Sequence, residues 1–134
     1  MQGVMDHLVL NAEDVEVLVR FYTEVVELEA ERVEEFRAGK VLFPSVRVNA
    51  GTVIDLAPKA MWEGSQLRTR GRPNLNHFCL TLEKSDWDKL RERLAGQQIA
   101  IEGPVPRWGA RGHGTSFYFH DPEGNEIEAR YYGA

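Results

Sequence analysis

An internal repeat is the feature that most constrains how this 134-residue chain can fold. A strand-like segment around His7, a helical pattern and three more strand-like segments are followed by the same order from His77 onward. His77 follows His7 by 70 positions, and Gly124 follows Gly51 by 73. Two independent anchors that agree this closely predict a duplicated βαβββ module and therefore an α+β fold.

Hydrophobic periodicity sets the expected elements and boundaries. The apolar run at 4–10 is typical of a buried strand, and the stripe from Val15 to Val26 has the spacing of an amphipathic helix. Gly112-His113-Gly114 is expected to be a flexible loop. The other expected strands are 30–38, 41–48, 52–56, 76–82, 99–102, 115–120 and 126–131. Module one covers about 4–57, a connector about 58–73 and module two about 74–132, within one domain.

Composition excludes several classes of protein and of site. Cys79 is the single cysteine, so an intrachain disulfide and a thiolate zinc site are excluded, and a metal must be held by His, Asp or Glu. The net charge of −5 argues against nucleic-acid binding, which needs a basic face. No apolar run approaches the roughly 20 residues of a membrane helix, and no leader pattern opens the chain. A cytoplasmic protein without membrane or nucleic-acid partners is expected.

Alternation along the strands brings out a set of candidate metal ligands. In a strand, successive side chains point to opposite faces. His7, His77 and Glu128 therefore lie opposite the apolar residues that would cover a helix. Two imidazoles and one carboxylate form the facial donor set that suits Fe(II) or Mn(II), and also Zn(II) or Ni(II), and leaves coordination positions open. The alternative interpretation is a pair of hydrogen-bonded strand histidines.

Four segments carry a resemblance to a known family. They are MDHLVL at 5–10, Phe21-Tyr22, NHFCL at 76–80 and FYFHDPEGNEIE at 117–128. The chain resembles, over nearly its whole length, the vicinal oxygen chelate superfamily of glyoxalase I, fosfomycin-resistance transferases, extradiol dioxygenases and bleomycin-resistance proteins. The segment EGPV at 102–105 is most similar to dioxygenase-like glyoxalase-domain proteins.

The resemblance implies a fold and a site. The paired modules would form a curved, cup-shaped mixed sheet with helices outside, around one divalent metal ion (Fe, Mn, Ni or Zn) held by His7, His77 and Glu128. Asp55 stands where glyoxalase I enzymes have a fourth ligand and dioxygenase-like members have none. We expect three protein ligands, with a fourth-ligand role or a ligand-orienting role open for Asp55. Tyr118 resembles the active-site tyrosine of extradiol dioxygenases, which makes it the candidate catalytic residue.

The expected substrate is a small oxygenated molecule. Arg107, Arg111 and His113 are candidate substrate-binding residues, since arginine suits carboxylate and phosphate; solvated loop arginines are the alternative. By resemblance, dioxygenase-like chemistry is favoured, and a glyoxalase I-type lyase or isomerase is the second enzyme class. A metal-free small-molecule binder of the bleomycin-resistance type is the non-enzyme alternative. Small members of the superfamily commonly dimerise, so a homodimer is expected.

Overall fold

The computed structural model describes residues 1–64 and 75–133. It divides the chain into two compact units, Met1–Arg72 and Pro73–Ala134, which are described separately below. Most of the expected connector at 58–73 lies outside the described residues. No helix among the described residues is long and apolar enough to cross a membrane.

The first unit contains a four-stranded mixed sheet in the order β1-β4-β3-β2. Strands β1 and β4 are parallel, while β4 with β3 and β3 with β2 are antiparallel. A π-helical turn, Phe21–Val25, continues the first helix. The elements are β1 His7–Asn11, α1 Val15–Arg20, β2 Glu29–Glu31, α2 Val33–Arg37, β3 Ser45–Asn49, β4 Thr52–Ala57 and α3 Lys59–Trp62.

The second unit repeats this pattern with the order β5-β8-β7-β6, in which β5 and β8 are parallel. The other two strand pairs are antiparallel. Two mixed sheets with flanking helices confirm the predicted α+β class and its repeated strand pattern. The elements are β5 Phe78–Thr81, α4 Lys84–Gly96, β6 Glu102–Gly109, β7 Gly112–His120 and β8 Glu126–Tyr131.

In the first unit, one face of the sheet is buried and the other carries the polar candidates. The Asp14 side chain caps α1 by accepting from the Val17 amide, which satisfies one otherwise unpaired donor. Along β1, Leu10 is buried, while His7 and Val9 are exposed on the opposite face. The apolar residues buried in this unit include Leu18, Val19, Phe21, Tyr22, Val46, Ile54 and Leu56.

The core of the second unit forms around Trp87 of α4. Its indole nitrogen donates to the Ala129 carbonyl on β8 at 2.9 Å, and its ring lies 5.0 Å from the Phe117 ring. Helix α4 ends at Gly96. Leu80, Leu90, Leu94, Phe119 and Ile127 are buried in the same unit. Glu128 and Arg130 alternate with Ile127 and Ala129 along β8 and so project from the other face.

Three local predictions are wrong. In place of the strand expected at 30–38, the structure has a strand only at Glu29–Glu31. A short helix begins at Val33, and the Val33 side chain is buried. The strand expected at 99–102 begins at Glu102 and continues to Gly109, since β6 is an edge strand, where proline is tolerated. The loop expected at 112–114 is part of β7, where it pairs with β6.

Candidate metal centre

His77 and Glu128 face each other on the open side of the second sheet. His77 directly precedes β5, and Glu128 lies on the parallel neighbour β8, in register with Cys79. The imidazole Nε2 is 3.1 Å from the carboxylate Oε1. The Glu128 side chain is 6% exposed and the His77 side chain 32%, so the pair is accessible from the histidine side. His77 Nε2 and Glu128 Oε1 are therefore two potential metal-binding atoms that lie next to each other.

Both candidate histidines are held through Nδ1 by the residue before them. His77 Nδ1 is 2.6 Å from Asn76 Oδ1, and His7 Nδ1 is 2.7 Å from Asp6 Oδ2. A polar group on Nδ1 fixes the ring and leaves Nε2 available, which is how metal-binding histidines are commonly oriented. The hydrogen bond to Asp6, together with the charge of Asp55, raises the pKa of His7.

Glu128 is held through its other oxygen. The fully buried Ser116 donates a hydrogen bond to Oε2 at 2.6 Å, and Arg130 Nη1 lies 3.5 Å from the same oxygen. Burial alone would raise the pKa of Glu128, but the hydrogen bonds from Ser116 and Tyr118 and the charge of Arg130 outweigh it and lower the pKa. The carboxylate is therefore ionised at neutral pH, and Oε1 faces His77.

This lowered pKa predicts acid sensitivity. A carboxyl whose pKa is lower in the folded state contributes stability above its ordinary pKa and loses it as pH falls through the folded-state value. In urea unfolding of metal-free protein at neutral pH and at about pH 4, Glu128→Gln is expected to lose less free energy of unfolding than the wild type. Glu16→Gln is the control, because Glu16 has a lowered pKa from Arg37 but is far more exposed and screened. If Glu16→Gln reduced the acid-induced loss of unfolding free energy as much as Glu128→Gln or more, Glu128 would not be the main source of the acid sensitivity.

Tyr118 lies beside the His77–Glu128 pair, and Arg107 lies beside Tyr118. Tyr118 is in register with Glu128 across β7 and β8, and its ring centroid is 5.6 Å from that of His77. The Arg107 guanidinium carbon lies 5.8 Å from the Tyr118 ring centroid. Burial, the largest influence, raises the pKa of Tyr118 despite the opposing effect of Arg107, so the phenol keeps its proton at neutral pH and can donate it in a hydrogen bond.

Arg111 and His113 lie elsewhere in the second unit. Both belong to the β6–β7 hairpin. The guanidinium carbon of Arg111 lies 4.3 Å from the Tyr132 ring centroid, whereas the His113 ring contacts that of the exposed Trp108 at 5.4 Å. Of the three candidate substrate-binding residues, Arg107 is the one that contacts the Tyr118 ring.

In the first unit, His7 and Asp55 line one cavity. His7 is on β1 and Asp55 on the parallel neighbour β4, where Asp55 is in register with Val9, two residues after His7. Ser45 donates to Asp55 Oδ1 at 2.6 Å. In each unit, therefore, a histidine and a carboxylate lie on neighbouring parallel strands or at their start, and a serine holds the carboxylate.

The donor types fit a divalent metal ion. Imidazole nitrogen and carboxylate oxygen suit Fe, Mn, Ni or Zn. Within 1–64 and 75–133, no group of three or more His, Cys, Asp or Glu residues is close enough to hold a metal. Burial and the charge of Glu128 raise the pKa of the Cys79 thiol to about 11, so this thiol is protonated at neutral pH. Each unit thus offers two donors.

Sequence reasoning missed the residues that hold these donors. Asp6 and Asn76 directly precede the histidines. A polar residue at this position could have indicated a hydrogen bond to the histidine ring. Ser116 gave no signal, because its role depends on the pairing of β7 with β8. Arg130 is also buried on this face and donates to the carbonyls of Arg107 and Trp108 at 2.5 and 3.2 Å, so it links β8 to β6.

Two repeated α+β units, each with a histidine and a carboxylate on the open face of its sheet, define the class of protein. A sequence model of the Glyoxalase/Bleomycin resistance protein/Dioxygenase superfamily matches residues 4–129, and the chain belongs to this superfamily. The match confirms the vicinal oxygen chelate relationship expected from the sequence motifs.

Individual relatives agree with this membership. The chain is 32% identical over 129 residues to Virulence protein STM3117 of Salmonella typhimurium, covering 96% of this chain and 83% of that protein. The crystal structure of that relative has a TM-score of 0.74 at 25% identity and is matched over 99% of both chains. A glyoxalase/dioxygenase from Nostoc punctiforme has a TM-score of 0.73 at 21% identity, covering 98% of this chain and 92% of that one; this likeness shows the fold alone.

Proposed function

We propose that this protein is a metal-dependent, dioxygenase-like enzyme that binds vicinal oxygens of a small substrate. His7, His77 and Glu128 are the proposed ligands. The observation that carries the proposal is the His77–Glu128 pair, with Nε2 and Oε1 facing each other at 3.1 Å and each side chain fixed through its other polar atom.

The chain's own residues have separate tasks in this proposal. A divalent metal ion, when bound, supplies Lewis acidity that stabilises negative charge developing on substrate oxygens. Ser116 keeps Glu128 Oε2 occupied, so Oε1 remains the donor oxygen. Tyr118 keeps its proton and, when substrate binds, transfers its hydrogen bond from Glu128 to a substrate oxygen. Arg107, beside the Tyr118 ring, favours an anionic substrate by its charge.

Oxygen consumption with catechols tests the reaction class. Protein loaded anaerobically with Fe(II) is expected to consume oxygen when a catechol is added, and Tyr118→Phe is expected to lower the rate without removing the metal.

The second candidate reaction is glyoxalase I-type isomerisation. Asp55 favours it, because Asp55 and His7 line the same cavity. Suppose that the Ni- or Zn-loaded protein converts a methylglyoxal–glutathione adduct and the Fe(II)-loaded protein consumes no oxygen. The glyoxalase reaction would then take the place of the dioxygenase reaction in the proposal. Ligand binding without any metal uptake would instead indicate a binding protein.

Ser116 and Ser45 provide a matched test of the ligand set. Ser116→Ala is expected to weaken metal binding about 10–100-fold, the usual loss when a residue that orients a ligand is removed. Ser45→Ala removes an equally short hydrogen bond, to Asp55, and is expected to change the affinity less than about twofold because three ligands suffice. Titration calorimetry measures both, and thermal unfolding checks that each variant folds. A comparable loss in Ser45→Ala would make Asp55 a ligand.

The proposal includes a cytoplasmic homodimer acting on a small molecule. The dimer is proposed because small members of the superfamily commonly dimerise. Light scattering after gel filtration measures the mass of the particle in solution. A mass about twice the 15.3 kDa of one chain is expected. A monomer mass would remove the dimer from the proposal.

A further inference from the structure

A cavity of about 340 Å³ opens on the polar face of the first sheet. His7 and Asp55 line it, together with Arg32, Arg47 and Phe43. Its volume is within the usual range for sites that hold small ligands. Because His7 is a proposed metal ligand, this inference rests on the proposed function.

Most charged groups around the cavity already have partners. Arg47 forms an ion pair with Glu31 at 2.6 Å and also donates to the carbonyls of Asn49 and Ala50. Asp6 is paired with His7, as described above. The other two charged groups that line the cavity are Asp55, which accepts a hydrogen bond from Ser45, and Arg32.

Arg32 differs from these groups. Its guanidinium lies over the Phe43 ring, 4.5 Å from the centroid, and donates one hydrogen bond to the Phe43 carbonyl at 3.2 Å. Among residues 1–64 and 75–133, no carboxylate forms an ion pair with it. A guanidinium has five N–H donors in a planar fork, so stacking on Phe43 orients the fork while most of its donors remain available.

The backbone at Arg32 gives no reason for an arginine. Its φ of 60° lies in the left-handed region, where glycine or asparagine is favoured and an ordinary side chain costs about 1–2 kcal/mol. It directly precedes α2, and its side chain makes no capping hydrogen bond. The reason for an arginine at position 32 therefore lies in what its side chain does in the cavity.

We propose that Arg32 binds a carboxylate group of the substrate, through paired N–H donors, in the same cavity that His7 lines. The substrate class is then a small organic acid that carries vicinal oxygens for the metal at one end and a carboxylate at the other. Arginine and carboxylate match in planar, bidentate geometry, and the stacked ring keeps the guanidinium in place.

The test compares two probes that differ only by a carboxylate, catechol and 3,4-dihydroxybenzoate, on Zn-loaded protein. The wild type is expected to bind the acid at least about tenfold more tightly. Arg32→Gln should remove this preference, and Arg32→Lys should keep part of it because the charge remains without the fork. Arg37→Gln is the control, because Arg37 is paired with Glu16 and Glu34 and does not line the cavity. Equal binding of both probes to the wild type, or an unchanged preference in Arg32→Gln, would overturn the proposal.

A metal-free measurement separates this inference from the proposed function. Benzoate added to metal-free protein is expected to shift the NMR signal of the Arg32 Nε–H group, and to do so in Arg37→Gln as well. A shift in protein that takes up no metal would support the carboxylate site while the metal-dependent function fails. Metal uptake without any benzoate shift would overturn the carboxylate site while the metal-dependent function stands.

Discussion

Replacing His77 by alanine is expected to abolish tight metal binding. His77 contributes the Nε2 donor that faces Glu128 Oε1 at 3.1 Å, and its ring is held by Asn76. Alanine leaves two of the three proposed ligands, and Glu128 then keeps a buried oxygen without its histidine partner. Metal content after dialysis is expected to fall from about one equivalent per chain to less than about a tenth.

Asp55→Ala is the matched comparison for His77→Ala. Asp55 lies on the open face of the other sheet and is likewise held by a serine, but it is not one of the three proposed ligands. This variant is expected to keep most of the metal. The reverse order, with metal retained in His77→Ala and lost in Asp55→Ala, would show that the ligands are wrongly assigned. Circular dichroism of both variants checks that the fold is intact.

Trp87→Ala is expected to give the largest loss of stability. The side chain is 2% exposed, contacts the rings of Phe117 and Tyr131, and donates to the Ala129 carbonyl. Removing a buried tryptophan loses its transfer free energy and leaves a cavity, and here it also leaves a strand carbonyl without its indole donor. The free energy of unfolding in urea is expected to fall by about 3–5 kcal/mol.

Trp108→Ala is the control for this loss of stability. Trp108 lies on the edge strand β6, is 74% exposed and contacts the ring of His113. Its replacement is expected to change the free energy of unfolding by less than about 0.5 kcal/mol. Far-ultraviolet circular dichroism follows unfolding in both variants without relying on tryptophan fluorescence. Similar losses in the two variants would contradict the described core of the second unit.

The sequence predicted the repeated modules because hydrophobic alternation and turn residues are local signals. The strand faces followed from the same alternation: Leu10 is buried and His7 is exposed, as a period of two requires. The strand expected at 30–38 was wrong because Val33 and Phe36 are three positions apart, which is the spacing of one helix face. Residues 103–106 contain Pro104 and Pro106, which resemble a strand break in a sequence but are tolerated on an edge strand.

The candidate centre was only partly predictable. His7, His77 and Glu128 could be named because strand alternation places each of them opposite the apolar residues, and because the repeat aligns His7 with His77. The hydrogen bond from Ser116 and the ring contact of Tyr118 with His77 depend on how β7, β8 and β5 pair, which a single sequence does not specify. Arg32 was missed because its interest comes from a cavity and a stacked Phe43, neither of which has a local pattern.

Metal content is the measurement that tests the central claim most directly. Protein purified without added metal is analysed for bound metals, stripped, and titrated in turn with Fe(II), Mn(II), Ni(II) and Zn(II). About one equivalent of a divalent ion per chain is expected in the wild type, and none in His77→Ala. Less than about a tenth of an equivalent as purified, with no uptake of any of the four metals, would contradict it.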